Sequence, residues 1–238
     1  MKAMILAAGL GTRLKPFTDF HPKALAIVNG KYLLQRNVEY LLSHGFDEII
    51  VNVHHFASQI IEAIDLNKGW GAQITISDES DLVLETGGGL KKAAWFFNTN
   101  EPFAVMNADI LTDLNLSEML KFHFENNALA TLAVSERSTS RYFLFNTQNQ
   151  LCGWENIKTG EQKITRNELH LTRKAFSGIH IISPQLPKLI LQEGKFSMVD
   201  VYLSLSEKHD ILGYNQGTCK FLDVGKPESI AEAELLFN

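Results

Sequence analysis

Residues 1–25 read MKAMILAAGLGTRLKPFTDFHPKAL. Within them, residues 3–8 (AMILAA) form an unbroken apolar run that leads directly into Gly9-Leu10-Gly11-Thr12-Arg13. A short apolar run with no polar face suits a strand buried on both sides of a sheet. Glycines placed directly after such a strand let successive backbone N–H groups approach an anion closely. Ligands of open α/β sheets also sit beyond the carboxyl ends of the strands. The stretch therefore predicts a central strand followed by a long loop, from Gly9 to Pro22, suited to phosphate. For Gly-x-Gly alone, an ordinary turn with a surface arginine stays open. Two familiar phosphate loops are excluded: a dinucleotide fingerprint requires glycine where Leu14 stands, and a Gly-Lys-Ser/Thr run is absent.

Outward from this stretch, strand and helix signals alternate. Residues 33–44 (LLQRNVEYLLSH) carry apolar side chains at helical spacing, with Gly45 as the stop. Residues 48–53 (EIIVNV) read as a strand, 56–66 as a helix and 72–77 as a strand. Residues 90–97 read as a helix opening after three glycines, and 103–107 (FAVMN) as another buried strand. This rhythm implies an α/β fold with a Rossmann-like, mixed but mostly parallel sheet flanked by helices. Beyond residue 127, strands are expected at 128–135, 142–146, 151–155 and 176–182, with a turn over 146–150. A helix is expected at 198–208, a strand pair at 211–215 and 218–222 across Gln216-Gly217, and a last helix at 229–237. No linker or repeat interrupts the 238 residues, so one domain is expected.

Composition narrows the function. The net charge of −5 argues against a generic nucleic-acid binder. Two cysteines, Cys152 and Cys219, are too few for a disulfide framework or a zinc site. The first apolar run is too short for a signal-peptide core, and no segment approaches the roughly 18 apolar residues of a membrane span. A cytoplasmic protein, acting on neither nucleic acid nor membrane, is the expectation.

Several further residues carry chemistry. Arg13 and Lys23 share one proline-anchored loop, so a planar fork of donors and a compact ammonium are available to one polyphosphate. Glu85-Thr86-Gly87-Gly88-Gly89 places three entropically costly glycines between a strand and a helix. It reads either as a base-recognition edge or as a flexible turn before a helix. Asp109 follows the strand 103–107 at the ligand edge, and Asp223 precedes Val224-Gly225. Either is also an ordinary turn or cap aspartate. Asn52 ends a strand at the same edge. His54-His55 point to opposite faces, which disfavours one shared metal ion.

Taken together, G-x-G-T-R-L-x-P-x-T-x3-P-K-x-L resembles the signature of the sugar-1-phosphate nucleotidyltransferases, the pyrophosphorylase family. The runs Glu85-Thr86-Gly87-Gly88-Gly89, Asn107-Ala108-Asp109, Phe176-Ser177-Gly178-Ile179 and Asp223-Val224-Gly225 follow in the family's order. The chain is most similar to the branches acting on N-acetylmuramate 1-phosphate with UTP and on mannose 1-phosphate with GTP.

The resemblance implies a single nucleotidyltransferase domain with a nucleotide-binding half, 1–127, and a sugar-phosphate half, 128–238. It implies catalytic Arg13 and Lys23 and a nucleotide site of Gly9, Gly11, Thr12, Arg13, Lys23, Glu85, Thr86, Gly87 and Gly88. Asn52, Asn107 and Gly178 would meet the sugar phosphate, and Asp109 and Asp223 would hold Mg²⁺. The partners would be a nucleoside triphosphate, with uracil or guanine as base, and a sugar 1-phosphate. Monomer and homodimer are both compatible. The Glu-Lys-Pro run that supplies many members with a second lysine is missing, and Lys163 and Lys174 are weak substitutes. Leu222 and Lys226 also depart from the pattern, and sugar selectivity is expected in 138–156. A non-catalytic nucleotide-sugar sensor of the same fold is the alternative. An NAD-linked oxidoreductase is disfavoured by Leu14.

Overall fold

The computed structural model describes residues 1–237. The opening apolar run forms β1 (Lys2–Leu6), and its side chains alternate between two cores. Ala3 and Ile5 enter one, Met4 and Leu6 the other. The chain then runs through a loop of short 3-10 turns to a small hairpin, β2 (Ile27–Val28) and β3 (Lys31–Tyr32), and into α1 (Leu33–Ser43). Next come β4 (Glu48–Val53), α2 (Ala57–Leu66), β5 (Gln73–Asp78), α3 (Glu85–Lys92), β6 (Phe103–Asn107), β7 (Ile110–Thr112) and α4 (Leu116–Glu125). The remainder contains β8 (Ala130–Ser135), β9 (Arg141–Phe145), β10 (Leu151–Asn156), β11 (Glu161–Ile164) and β12 (Thr172–Ile182). It ends with α5 (Met198–Leu205), β13 (Ile211–Asn215), β14 (Phe221–Asp223) and α6 (Pro227–Leu236).

The main sheet is mixed, as expected, in the order β11-β10-β9-β12-β6-β1-β4-β5, with β8 and β13 branching from β12. The block β6-β1-β4-β5 is parallel. The eleven-residue strand β12 joins the two parts of the sheet. It runs antiparallel to β6 through Ile179–Ile182 and to β9 through Thr172–Lys174. Between these pairings its register against β8 shifts, across Phe176 and His180, where Gly178 takes φ of 72°. That left-handed backbone is comfortable only for glycine, and it lets one strand serve two sheet directions.

Three expectations need correction. The helix expected after the glycines instead contains them, since α3 spans Glu85–Lys92 and only a 3-10 turn covers Ala94–Phe97. The strands around Gln216-Gly217 do not pair with each other. β13 runs parallel to β8, while β14 pairs with β7, more than a hundred residues earlier in the chain. Helix α4 and strands β2, β3, β7 and β11 went unforeseen; α4 is announced by Asn115, whose side chain accepts from Glu118 N–H as an N-cap. No helix among the described residues is long and apolar enough to cross a membrane.

Two buried histidines lie away from the ligand edge. His180 packs against Phe176 and hydrogen-bonds the Tyr202 hydroxyl. His123 meets Thr131 and Ser183. Burial lowers both imidazoles from their ordinary range, His180 to about 3 and His123 to about 4. The unfolded chain takes up these protons near neutrality, whereas the folded chain stays neutral until much lower pH. Stability is therefore full above the unfolded pKa and falls as pH drops below it. Urea unfolding between about pH 6.5 and 4.5 is expected to lose about 1.4 kcal/mol per pH unit for each histidine. The double variant His180→Phe/Tyr202→Phe, which removes the titrating ring and its hydroxyl partner together, should lose roughly half that slope.

Candidate active site

At the carboxyl ends of β1, β4 and β6 lies a cleft of about 460 Å³. The expected residues Gly9, Lys23, Asn52, Glu85, Thr86, Asn107 and Asp109 line it. Gly11, Thr12, Arg13, Gly87, Gly88, Gly178 and Asp223 are not part of this lining. Several of them support it from behind or at its edge.

The acidic pair is assembled by β7 and β14. In this two-stranded ribbon Asp223 is the register partner of Ile110, and Val224 N–H donates to the Asp109 carbonyl at 2.9 Å. Aspartates 114 positions apart thus become neighbours at the end of one two-stranded ribbon, Asp223 on its last rung and Asp109 one residue beyond it. Lys23 Nζ forms an ion pair with Asp109 Oδ2 and lies 3.8 Å from Asp223 Oδ1. Arg13 comes within 3.6 Å of the other Asp223 oxygen. Asp223 Oδ1 is buried and has no hydrogen-bond donor. Such an atom is costly unless a cation satisfies it.

Leu14 explains how Arg13 reaches Asp223. It is buried in a small cluster with Val28, Leu33, Leu111 and Val224, which ties the loop to the ribbon and to α6. The residue that breaks the dinucleotide fingerprint is thus the loop's apolar anchor. Gly11 takes φ of 62°, and a Cβ there would fall 2.9 Å from Thr18 and 3.0 Å from Lys23. Gly225 allows the other close approach, because its Cβ would sit 2.7 Å from Asp223 and 2.9 Å from Arg13. Thr12 is exposed at the start of the first 3-10 turn. Gly9 is different: nothing in the protein lies within 4 Å of its missing Cβ, which leaves open space at the cleft.

The Glu85–Gly89 run is put to a use that its composition does not reveal. The N–H groups of Gly87 and Gly88 both donate to the Phe196 carbonyl, so these backbone donors are already committed. A Cβ on Gly87 would lie 2.5 Å from Phe196, and one on Gly88 would lie 2.5 Å from the Gly194 carbonyl. Gly89 packs in the same way against Glu79 and Asn52. The glycines let α3 press against the 194–197 segment, and the cleft is met by Glu85 and Thr86. Glu85 adopts φ of 60°, a strained conformation for a residue with a side chain, and its carboxylate lies 3.5 Å from Lys195. Thr86 Oγ1 accepts from Met198 N–H.

Asn52 is buried and doubly held: it accepts from Ala7 N–H at 2.7 Å and donates to Glu79 Oε1 at 2.8 Å. Glu79 also accepts from Leu84 N–H, and burial raises its carboxyl pKa. Asn52 therefore fixes the end of β1 to the loop before α3. Asn107 lies against Gly178, where a Cβ would come within 2.7 Å of its Nδ2. His54 bonds the Glu79 carbonyl and His55 packs against Phe56 with its ring tilted, and neither lines the cleft.

Sequence reasoning missed two cations. Arg137, at the surface, donates to the Phe176 carbonyl and lies over the Phe221 ring. Arg141 lines the cleft itself. Their only signal was position: Arg141 falls inside 138–156, the stretch expected to govern the sugar, and Arg137 directly precedes it.

Residues 2–237 match the family model described as nucleotidyl transferase. The chain belongs to this family. It is 30% identical over 241 residues to the N-acetylmuramate α-1-phosphate uridylyltransferase of Caulobacter vibrioides, covering 98% of this chain and 95% of that protein. It is 35% identical over 198 residues to the UTP–glucose-1-phosphate uridylyltransferase of Synechocystis, covering 78% of this chain. The mannose-1-phosphate guanyltransferase of Yarrowia lipolytica is 28% identical over 246 residues, covering all of this chain. The chain spans only 50% of the Synechocystis protein and 64% of the Yarrowia one. The solved structure of HddC from Yersinia pseudotuberculosis superposes with a TM-score of 0.78 at 23% identity, covering 100% of this chain and 99% of that one, which confirms the fold.

The two kinds of motif glycine separate experimentally. Gly88→Ala forces a methyl against a backbone carbonyl and is expected to cost about 1–3 kcal/mol, lowering the melting temperature by several degrees. Gly9→Ala, with open space at its Cβ, should stay within about 0.5 kcal/mol of the parent. Scanning calorimetry of both variants checks the pair.

Proposed function

We propose that the chain catalyses magnesium-dependent transfer of a nucleotidyl group from a nucleoside triphosphate to a sugar 1-phosphate, releasing pyrophosphate. The observation that carries the reading is the convergence of Asp109 and Asp223 on Lys23, with Arg13 alongside, at a cleft beyond the parallel strands. Family membership supports it, as do relatives whose names specify uridylyl or guanylyl transfer to sugar 1-phosphates.

The donor set fits Mg²⁺. Two carboxylates supply hard oxygen ligands, and Asp223 Oδ1 is a buried acceptor without a donor. Mg²⁺ commonly takes one or two protein carboxylates and completes its shell with water and substrate phosphates. Asp109 and Asp223 would hold it, and when bound it would neutralise phosphate charge and align the reacting groups.

The protein's own groups do the rest by position and charge. A phosphate oxygen of the sugar 1-phosphate attacks the α-phosphorus in line, and the bond to pyrophosphate breaks, so no protein nucleophile is required. Lys23, only 14% exposed, brings a positive charge into a partly desolvated site, where it acts more strongly than in water. Arg13, at the outer edge beside Asp223, would hold the leaving pyrophosphate. Gly9 leaves room for the triphosphate, and Glu85 and Thr86 form the edge that meets the base. Uracil and guanine both present an N–H beside a carbonyl, so this edge suits UTP and GTP alike. Asn107, propped by Gly178, faces the acceptor.

A pyrophosphate-release assay over the common triphosphates against glucose, mannose and N-acetylmuramate 1-phosphates is expected to show turnover with at least one pair. Silence across the whole matrix, with nucleotide sugar still bound, would instead favour a sensor. Asp109→Asn and Asp223→Asn should fold normally and lose divalent-dependent turnover. Arg13→Ala should lose on the order of 3 kcal/mol of transition-state stabilisation, about a hundredfold in rate. An Arg13→Ala effect limited to thermal stability would refute its role.

A further inference from the structure

The positive charges around the cleft are not equivalent. Lys23 contacts both carboxylates and Arg13 contacts Asp223, so two cations face two anions and their charges balance. The proposed reaction nevertheless brings two phosphate-bearing substrates together. Of the residues lining the cleft, only Arg141 and Ser197 come from beyond residue 127. The Ser197 hydroxyl is engaged with Asp200 in the capping box that starts α5.

Arg141 opens β9, and its backbone is well held. It pairs with Asn156 of β10, and its N–H donates to Thr139 Oγ1. Its exposed guanidinium has no carboxylate and no hydrogen-bond acceptor among the described residues. The neighbouring cations are all engaged. Arg137 donates to the Phe176 carbonyl, Lys163 lies 3.6 Å from both Glu161 and Asp200, and Lys174 donates to Asn149. Among the described residues, Arg141 is therefore the one unpaired cation in the cleft lining. A guanidinium offers a planar fork of donors that matches two phosphate oxygens at once.

We infer that Arg141 binds the phosphate of the acceptor sugar 1-phosphate, doing in this chain the work for which no free lysine is available. This rests on the proposed transfer reaction. It assigns the acceptor phosphate to the second half of the chain, while the triphosphate is met by Gly9, Arg13 and Lys23 of the first.

Initial rates measured for the parent, Arg141→Gln and Arg141→Lys, with each substrate varied in turn, test the assignment. Losing a charge-assisted, paired contact should raise the KM for the sugar 1-phosphate about 10- to 100-fold in Arg141→Gln. Arg141→Lys should recover part of the loss. The KM for the triphosphate and the melting temperature should hardly move, because the side chain is exposed and unpaired. A triphosphate KM that rises as much as the acceptor's would overturn the assignment, as would an unchanged acceptor KM. Glucose 1-phosphate and N-acetylmuramate 1-phosphate form separate arms, since the second sugar also carries a carboxylate. An effect confined to it would move Arg141 from the phosphate to the sugar acid and overturn the proposal. A parent protein that turns over no pair refutes the transfer reaction, and this inference falls with it. A parent that turns over beside an unaltered Arg141→Gln refutes this inference alone.

Discussion

Three residues of β14 laid against three of β7 hold the site together. That short ribbon brings Asp223 beside Asp109 and places two carboxylates where repulsion would otherwise push them apart. Two like charges set this close are eased by a cation within reach of both. Lys23 supplies it, and Lys23 is held there because Gly11 has no Cβ to obstruct it. Leu14 completes the arrangement by burying the loop against Leu111 and Val224, which keeps Arg13 at the outer face of Asp223. Backbone pairing, one glycine, one leucine and one ammonium are thus interdependent.

The motif glycines divide by physical role. Gly9 leaves open space at the cleft, whereas Gly87, Gly88 and Gly89 leave space for the protein itself. By admitting Phe196 and Gly194, the latter bring the start of α5 to the cleft and carry Ser197 into its wall. Asn52 and Glu79 do a similar service between β1 and α3. Much of what these motif residues do in this chain is therefore close packing, with only a few groups left facing the cleft.

Parts of the fold were legible for definite reasons. β1 and β6 are buried on both faces, so they read as near-continuous apolar runs, and β4 shares that character over Ile49–Val51. α1 buries one stripe, and Gly45 adopts the positive φ that ends it. The misreadings have two other causes. Strand partners in the final third are set by long-range pairing, and nothing local to Phe221–Asp223 states that its partner is Ile110–Thr112. The glycine run misled because a helix packed against backbone and a flexible turn have the same composition.

The sequence by itself determined the parallel half of the sheet, the loop beyond β1 and the residue types a polyphosphate site requires, because periodicity, glycine placement and charge are local properties. Only the tertiary structure decided which of those residues meet. It joined Asp109 to Asp223, turned the glycines of α3 toward Phe196, and left Arg141 unpaired in the cleft. Those outcomes depend on strand register and on distances between segments far apart in the chain, and no local pattern encodes a distance.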